Sequence, residues 1–242
     1  MQAMIFAAGL GTRLKPLTDT MPKALVKVGG KTLLEHTVEA LAGAGADRMV
    51  VNVHHFAGQI KDFLHDSNNL GHDIRISDES DMLLDTGGGL KKAQGLFSTD
   101  EPILIHNVDI LSNVSLNDFY QDNIDADAAL LVSERKTRRH LLFDDEMRLV
   151  GWTNIETGEV RSPYPDLDAG GCRKLAFAGI HLFSPRLFPL MDGFPDKFGI
   201  MDFYLKVCDK VRIKGVEHKS LRLMDVGKAD TISQAEDFIR NL

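Results

Sequence analysis

The stretch AAGLGTRLKPLTDTMPK runs from Ala7 to Lys23 and follows the apolar run Met4-Ile5-Phe6. Its residue types suit one kind of chemistry, the holding of a polyanion. Glycine lets a backbone approach a ligand closely and adopt positive φ. Successive backbone N–H groups can form a nest for phosphate oxygens. Arg13, with Lys15 or Lys23, can add charge-assisted hydrogen bonds. Taken singly, Gly9 and Gly11 suit an ordinary tight turn equally well, and Arg13 or Lys23 alone reads as a solvated surface cation. Two familiar phosphate loops are excluded by spacing. The Walker loop needs G-x-x-x-x-G-K-[ST], and five residues after Gly9 stands Leu14. The dinucleotide fingerprint G-x-G-x-x-G also needs a glycine at position 14.

A second pair of candidates lies far downstream. Asp109 ends PILIHNVD and Asp225 ends LRLMD, so each follows an apolar strand. In an open parallel sheet, ligands bind at the carboxyl ends of the strands. Mg²⁺ takes hard oxygen ligands, often one or two carboxylates plus phosphate oxygens. Either aspartate alone also reads as a strand-end or helix-cap residue. The adjacent His54-His55 offers poor geometry for a shared metal and reads as loop.

These residues need a scaffold. The chain has 242 residues, 43% hydrophobic and 26% charged, enough for one α/β domain or two small ones. The formal charge of −7 argues against a nucleic-acid partner, so any important cations must be local. Cys172 and Cys208 match no metal spacing and no disulfide framework, and reduced thiols in a cytoplasm are expected. No signal-peptide pattern and no run of about 20 apolar residues is present, so no membrane association is expected.

The first half alternates regularly. Strands are expected at Ala3–Ala7, Arg48–Val53, Ile74–Ile76, Pro102–His106 and Ala128–Val132. Helices are expected at Leu33–Ala42, Ala57–Leu64, Gly88–Leu96 and Leu116–Asn123. That alternation predicts an α/β fold with a mostly parallel sheet covered on both faces. The second half is less regular. Strands are expected near Leu141–Phe143 and Leu149–Thr153, then a loop, then a strand over Lys174–Phe183. Ser184 is expected to cap a helix starting at Pro185. A late strand over Leu221–Val226 and an amphipathic helix over Ala229–Leu242 close the chain. The simplest organisation is one domain over 1–242, with 135–174 an insertion.

The longer stretch AAGLGTRLKPLTDTMPKALVKVGGKTLLEH resembles the signature of the sugar-1-phosphate nucleotidyltransferases. Ala8-Gly9, Gly11-Thr12-Arg13, Pro16, Thr18 and Pro22-Lys23 all match its fixed elements. DTGGGL (Asp85–Leu90), HNVDIL (His106–Leu111), FAGIHLFSP (Phe177–Pro185) and DVGKADTI (Asp225–Ile232) fall in the family's order. The chain is most similar to short members, the N-acetylmuramate-1-phosphate uridylyltransferases, and shares much of the mannose-1-phosphate guanylyltransferase pattern. The resemblance implies a Rossmann-like mixed sheet of the nucleotide-diphospho-sugar transferase type. It also implies transfer of a nucleoside monophosphate from UTP or GTP to a sugar-1-phosphate, with Mg²⁺.

Residue by residue, the resemblance implies that Ala8, Gly9, Gly11, Thr12 and Arg13 cradle the triphosphate. Lys23 contacts the phosphates at the reacting centre, and Asp109 and Asp225 hold the metal. Gly87 and Gly88 let the backbone approach the base, although three glycines in series also suit a flexible turn. Asn107 is a candidate for the sugar, with Glu79, Gly179 and Asp202 as weaker ones; Glu79 and Asp202 read equally well as solvated surface acids. Val108 stands where Gly or Ala is usual and is expected to narrow the sugar's space. Lys228 stands where Thr is common, as a cation near the metal. The alternatives are a nucleotide-sugar sensor without chemistry, or GTP with mannose-1-phosphate or a heptose-1-phosphate.

Overall fold

The computed structural model describes residues 1–227 and 231–242. The chain opens with β1 (Gln2–Phe6), buried throughout. The glycine loop and short 3-10 turns follow, then a clip of β2 (Lys27–Val28) against β3 (Lys31–Thr32). Thr32 caps α1 (Leu33–Gly43) reciprocally: its hydroxyl accepts from the Glu35 N–H at 3.1 Å, and the Glu35 carboxylate accepts from the Thr32 N–H at 2.6 Å. Next come β4 (Arg48–Val53), α2 (Ala57–Asp66), β5 (Asp73–Asp78), α3 (Asp85–Ala93), β6 (Ile103–Asn107), β7 (Ile110–Ser112), α4 (Leu116–Gln121) and β8 (Ala128–Ser133). The second half holds β9 (Arg139–Phe143), β10 (Leu149–Asn154), β11 (Glu159–Arg161), β12 (Arg173–Phe183), α5 (Ile200–Val207), β13 (Ile213–Glu217), β14 (Leu223–Asp225) and α6 (Ile232–Arg240).

Among the described residues, ten strands form one mixed sheet in the order β11-β10-β9-β12-β6-β1-β4-β5; β8 pairs with β12, and β13 with β8. β1 lies between β4 and β6, parallel to both, with Ile5 opposite Val51 and His106. The period-2 alternation of a strand divides β1 between two cores. Ala3 and Ile5 pack with α1, α2 and α4 on one face. Met4 and Phe6 pack with α3 and α5 on the other. This is the expected layered sheet with helices on both faces. Its parallel centre sets the carboxyl ends of β1, β4 and β6 side by side, where the loops carrying Gly9, His54 and Asp109 emerge.

The second half departs from its sequence reading in several places. The segment expected as a loop after Thr153 contains a strand instead. Gly158 at φ 72° turns the chain back, and β11 pairs antiparallel with β10. The segment after Ser184 is 3-10 rather than α, and Pro189 lies inside it. Ser184 does not cap it; its hydroxyl accepts from Arg186 Nε at 3.1 Å. Two further elements of this half have no counterpart in the sequence reading. α5 is only eight residues long, and its buried Ile200, Phe203, Tyr204 and Val207 recur at helical spacing with Asp202 and Lys206 on the outer side. β13 contains Gly215, where a Cβ would lie 2.6 Å from the Phe143 ring, so a glycine required by packing interrupts the apolar pattern. The closing helix is shorter than expected, and the Lys228 position lies outside the described residues.

Candidate active site

The loop after β1 is shaped by one glycine and opened by another. Gly11 sits at φ 63°, and a Cβ there would lie 2.8 Å from Thr18 Cγ2. The buried Thr18 hydroxyl donates to the Gly11 carbonyl at 2.8 Å, and Leu14 N–H donates to the same carbonyl at 2.8 Å. Thr18 thus locks the turn from beneath. Gly9 has no atom within 4 Å of where its Cβ would be. Its neighbours Ala8, Leu10, Gly11, Thr12 and Arg13 line a cleft of about 500 Å³ together with Lys23. Lys15 is turned out to solvent and pairs with Asp19 at 3.0 Å, so the second cation of the cleft is Lys23.

Lys23 Nζ donates to Asp109 Oδ2, and both side chains are largely buried. Asp109 and Asp225, far apart in sequence, are joined by backbone. Asp225 stands opposite Ile110 in the β14–β7 pair, and Val226 N–H donates to the Asp109 carbonyl at 2.8 Å. Burial pushes the Asp225 carboxyl up, and the neighbouring Asp109 charge pushes it further; Lys23 and Arg13 oppose the shift. Arg13 Nη2 lies 3.9 Å from Asp225 Oδ2. Asp225 Oδ1 is buried and has no hydrogen-bond partner among the described residues. Two apposed carboxylates with an orphaned oxygen are a hard donor set of the kind a divalent cation takes. Among the described residues no three His, Cys, Asp or Glu side chains group around one such point. The pair therefore suits an ion that completes its coordination with phosphate oxygens and water.

The opposite wall of the cleft differs from its sequence reading. Gly87 and Gly88 do not face it. Their N–H groups donate to the Phe198 carbonyl at 2.9 and 3.1 Å. A Cβ at Gly87 would lie 2.4 Å from the Phe198 ring, and one at Gly88 would lie 2.0 Å from the Asp196 carbonyl oxygen. These glycines let α3 press against the 196–198 segment, and the cleft is lined instead by Leu83, Asp85 and Thr86. The Thr86 hydroxyl accepts from Ile200 N–H at 2.9 Å and ties this wall to α5.

Glu79 is also displaced from its expected role. It is 0% exposed and accepts from Asn52 Nδ2 at 2.7 Å. Burial raises its pKa. It therefore supports the cleft from behind rather than meeting a sugar. Asn52 lines the cleft, and its Oδ1 accepts from Ala7 N–H at 2.8 Å, pinning the start of the glycine loop. Sequence reasoning passed over Asn52. For Asn52 the signal was a polar residue inside the apolar strand RMVVNV.

Of the residues expected to meet the sugar, Asn107 and Gly179 lie together. Gly179 sits at φ 78° in an irregularity of β12, and a Cβ there would lie 2.9 Å from Asn107 Nδ2. Asp202 does not join them. Its carboxylate is held by Arg161 Nη2 at 2.6 Å, so it is neither free nor aimed at the first cleft. Val108 is buried in the core, so it does not narrow the sugar's space as expected.

A family model described as nucleotidyl transferase matches residues 2–141. The chain belongs to the nucleotidyl transferase family. It is 33% identical over 240 residues to an N-acetylmuramate alpha-1-phosphate uridylyltransferase of Caulobacter vibrioides, covering 97% of this chain and 95% of that protein. It is 32% identical to the enzyme of the same name from Neisseria meningitidis serogroup B, covering 98% and 97%. A mannose-1-phosphate guanyltransferase of Neurospora crassa is 40% identical over 112 residues, 46% of this chain and 30% of that protein. The fold is shared with a putative glucose-1-phosphate thymidylyltransferase of Bacillus anthracis, at a TM-score of 0.82 and 16% identity over 100% of this chain and 96% of that one. The cleft of this nucleotidyltransferase gathers Arg13, Lys23 and the two aspartates beside its glycine loop. No helix among its described residues is long and apolar enough to cross a membrane.

Proposed function

We propose that this nucleotidyltransferase transfers uridylyl from UTP to N-acetylmuramate-1-phosphate, with Mg²⁺ held by Asp109 and Asp225. The observation that carries the reading is the convergence of Lys23, Arg13, Asp109 and Asp225 at the mouth of the glycine loop. The choice of sugar is supported by the relatives that match along the whole chain, whereas the guanyltransferase match covers under half of it. We place the reaction in the cytoplasm, where the nucleotide would be supplied.

In this reaction a sugar-1-phosphate oxygen attacks the α-phosphorus of UTP, the bond from that phosphorus to the β-bridging oxygen breaks, and pyrophosphate leaves. The nucleophile is already an anion, so no general base is needed. The barrier comes from bringing several negative charges into line, and positioning with charge neutralisation supplies the catalysis. The N–H groups of residues 9–12 hold the triphosphate. Arg13 neutralises the β- and γ-phosphates as they become pyrophosphate. Lys23, held by Asp109 at the reacting centre, meets the incoming sugar phosphate. Asn107 and Gly179 lie where the sugar ring would rest. The bound ion would neutralise phosphate oxygens and fix their geometry.

The test is pyrophosphate release with UTP, GTP, CTP, ATP and dTTP. Each is paired with the 1-phosphates of N-acetylmuramate, N-acetylglucosamine, glucose, mannose and a heptose, with and without Mg²⁺. The expected result is one dominant Mg²⁺-dependent pair, UTP with N-acetylmuramate-1-phosphate. A dominant GTP–mannose or GTP–heptose pair would overturn the substrate. Triphosphate binding with silence across the grid would favour a sensor.

A further inference from the structure

A second cleft, of about 530 Å³, opens beside the first, and its walls come largely from the 135–174 segment. Register puts its floor on one face of the antiparallel extension. Trp152 stands opposite both Leu141 and Arg161, and Arg139 lies two residues from Leu141 on the same face. Phe177, Met201 and Leu205 complete an apolar surface. The two clefts adjoin. The ring of Phe6, in the first, lies 6.2 Å from that of His181, and His181 lies 5.6 Å from Phe177, in the second, both pairs tilted. Gly199 lines the first, and its carbonyl accepts from the N–H of Asp202 in the second at 3.1 Å.

Charge on this second cleft is unevenly spent. It carries Arg135, Arg139 and Arg161 against Glu159 and Asp202. Arg161 is committed twice, to Asp202 at 2.6 Å and to the Trp152 ring at 5.8 Å. Nearby Arg138 and Arg173 are likewise paired, with Glu156 and Glu217. Arg135 donates only to the Phe177 carbonyl, at 3.3 Å, and the Arg139 guanidinium has no partner among the described residues. Arg135 is also close enough to act electrostatically on Asp225, so it spans the distance between the two clefts.

We propose that this second cleft is a subsite for a carboxylate carried on the sugar, taken by Arg135 and Arg139 above the Trp152–Phe177 floor. The inference rests on the sugar reading given above and assigns specificity within it. Guanidinium groups match a carboxylate in a bidentate fork, and an aromatic floor covers the apolar parts of a short ether side chain. Phe177, on the floor of the second cleft, lies two residues from Gly179, so a sugar resting on Asn107 and Gly179 would lie close to that floor. N-acetylmuramate differs from N-acetylglucosamine by a lactyl ether, which ends in such a carboxylate.

The test compares kcat/KM for the two 1-phosphates, with UTP, in the wild type and in Arg139→Met, Arg139→Lys and Arg135→Met. The expected result is a fall of at least about tenfold in the N-acetylmuramate over N-acetylglucosamine ratio for the Met variants. It should be carried mainly by KM, because the carboxylate lies away from the reacting phosphorus, and be partly rescued in Arg139→Lys. Trp152 is the chain's one tryptophan. UDP-N-acetylmuramate should therefore change its emission, and the change should shrink in Arg139→Met. A wild-type ratio retained in both Met variants, or emission blind to the carboxylate sugar, overturns the subsite alone. A wild type without preference for N-acetylmuramate overturns the sugar reading, and the subsite with it.

Discussion

The two clefts are of similar size and solve opposite problems. The first is built on the parallel centre of the sheet, and one of its walls is backbone, a glycine loop locked by Thr18 and pinned at its start by Asn52. The second is built on an antiparallel extension, and its walls are side chains, with arginines over a tryptophan. Phosphate is the same in every nucleotide, so a rigid backbone nest with a few fixed charges suits it. Sugars differ by substituents, and side chains on an edge hairpin can change without disturbing the core. In the first cleft the cations are tied to carboxylates that the metal and phosphates would reorganise. In the second, Arg135 and Arg139 have no carboxylate partner among the described residues.

The comparison can be broken most severely at the first cleft. Asp225→Ala is expected to lower Mg²⁺-dependent turnover below one-thousandth of wild type, roughly 4 kcal/mol of barrier. Circular dichroism would check that the fold survives, and a near-normal rate would remove Asp225 from the metal site. Lys23→Ala should cost about a hundredfold in kcat/KM, about 2.7 kcal/mol, because it takes a charge from a crowded anionic centre. A loss below about tenfold would make Lys23 merely a partner for Asp109.

Beneath both clefts lie His181 and His106, and these predict acid sensitivity. Burial lowers the His106 pKa to about 4 and the His181 pKa to about 3, from 6.5. The unfolded chain therefore takes up protons before the folded one. Stability is fully present above about pH 6.5 and falls as the pH drops toward 4, by about 1.4 kcal/mol per pH unit for each proton. Glu79, with its raised pKa, contributes in the opposite sense and softens the slope at the acid end. His181 sits among the rings of Phe6, Phe177 and Tyr204, so His181→Phe should retain packing and flatten the slope by about one proton. Denaturant midpoints between pH 4.5 and 7.5 would show it, and an unchanged slope would mean His181 titrates normally.

Two glycines sharpen the contrast further. Gly88→Ala drives a Cβ against the Asp196 carbonyl and should destabilise the protein by about 1–3 kcal/mol. Gly9→Ala meets nothing within 4 Å and should leave the melting temperature nearly unchanged while weakening UTP binding. Equal stability losses would show that both glycines serve packing. The smallest effect is expected for Asp202→Ala. Its pair with Arg161 is half exposed, so thermal stability should change by less than about 1 kcal/mol. A larger loss would make the second cleft as rigid as the first.

Much of this molecule could be read from its residues. Alternating apolar runs fix the parallel half, because a strand buried on both faces needs a continuous apolar run and each helix needs an apolar stripe. The order of Arg13, Lys23, Asp109 and Asp225, each at a strand end or in a loop after one, marked the anion site. Local sequence could not decide which glycines bind and which pack. Gly9 and Gly88 look alike in the chain, and only the neighbours brought to them by folding, empty space or the Asp196 carbonyl, separate their roles. The same holds for charge. Glu79 and Asp202 both read equally well as sugar contacts or surface acids, yet one is buried under Asn52 and the other is an exposed acid held by Arg161. Residue type determined what each group can do. Contacts across long stretches of sequence decided which were already committed, and so which were left for a ligand.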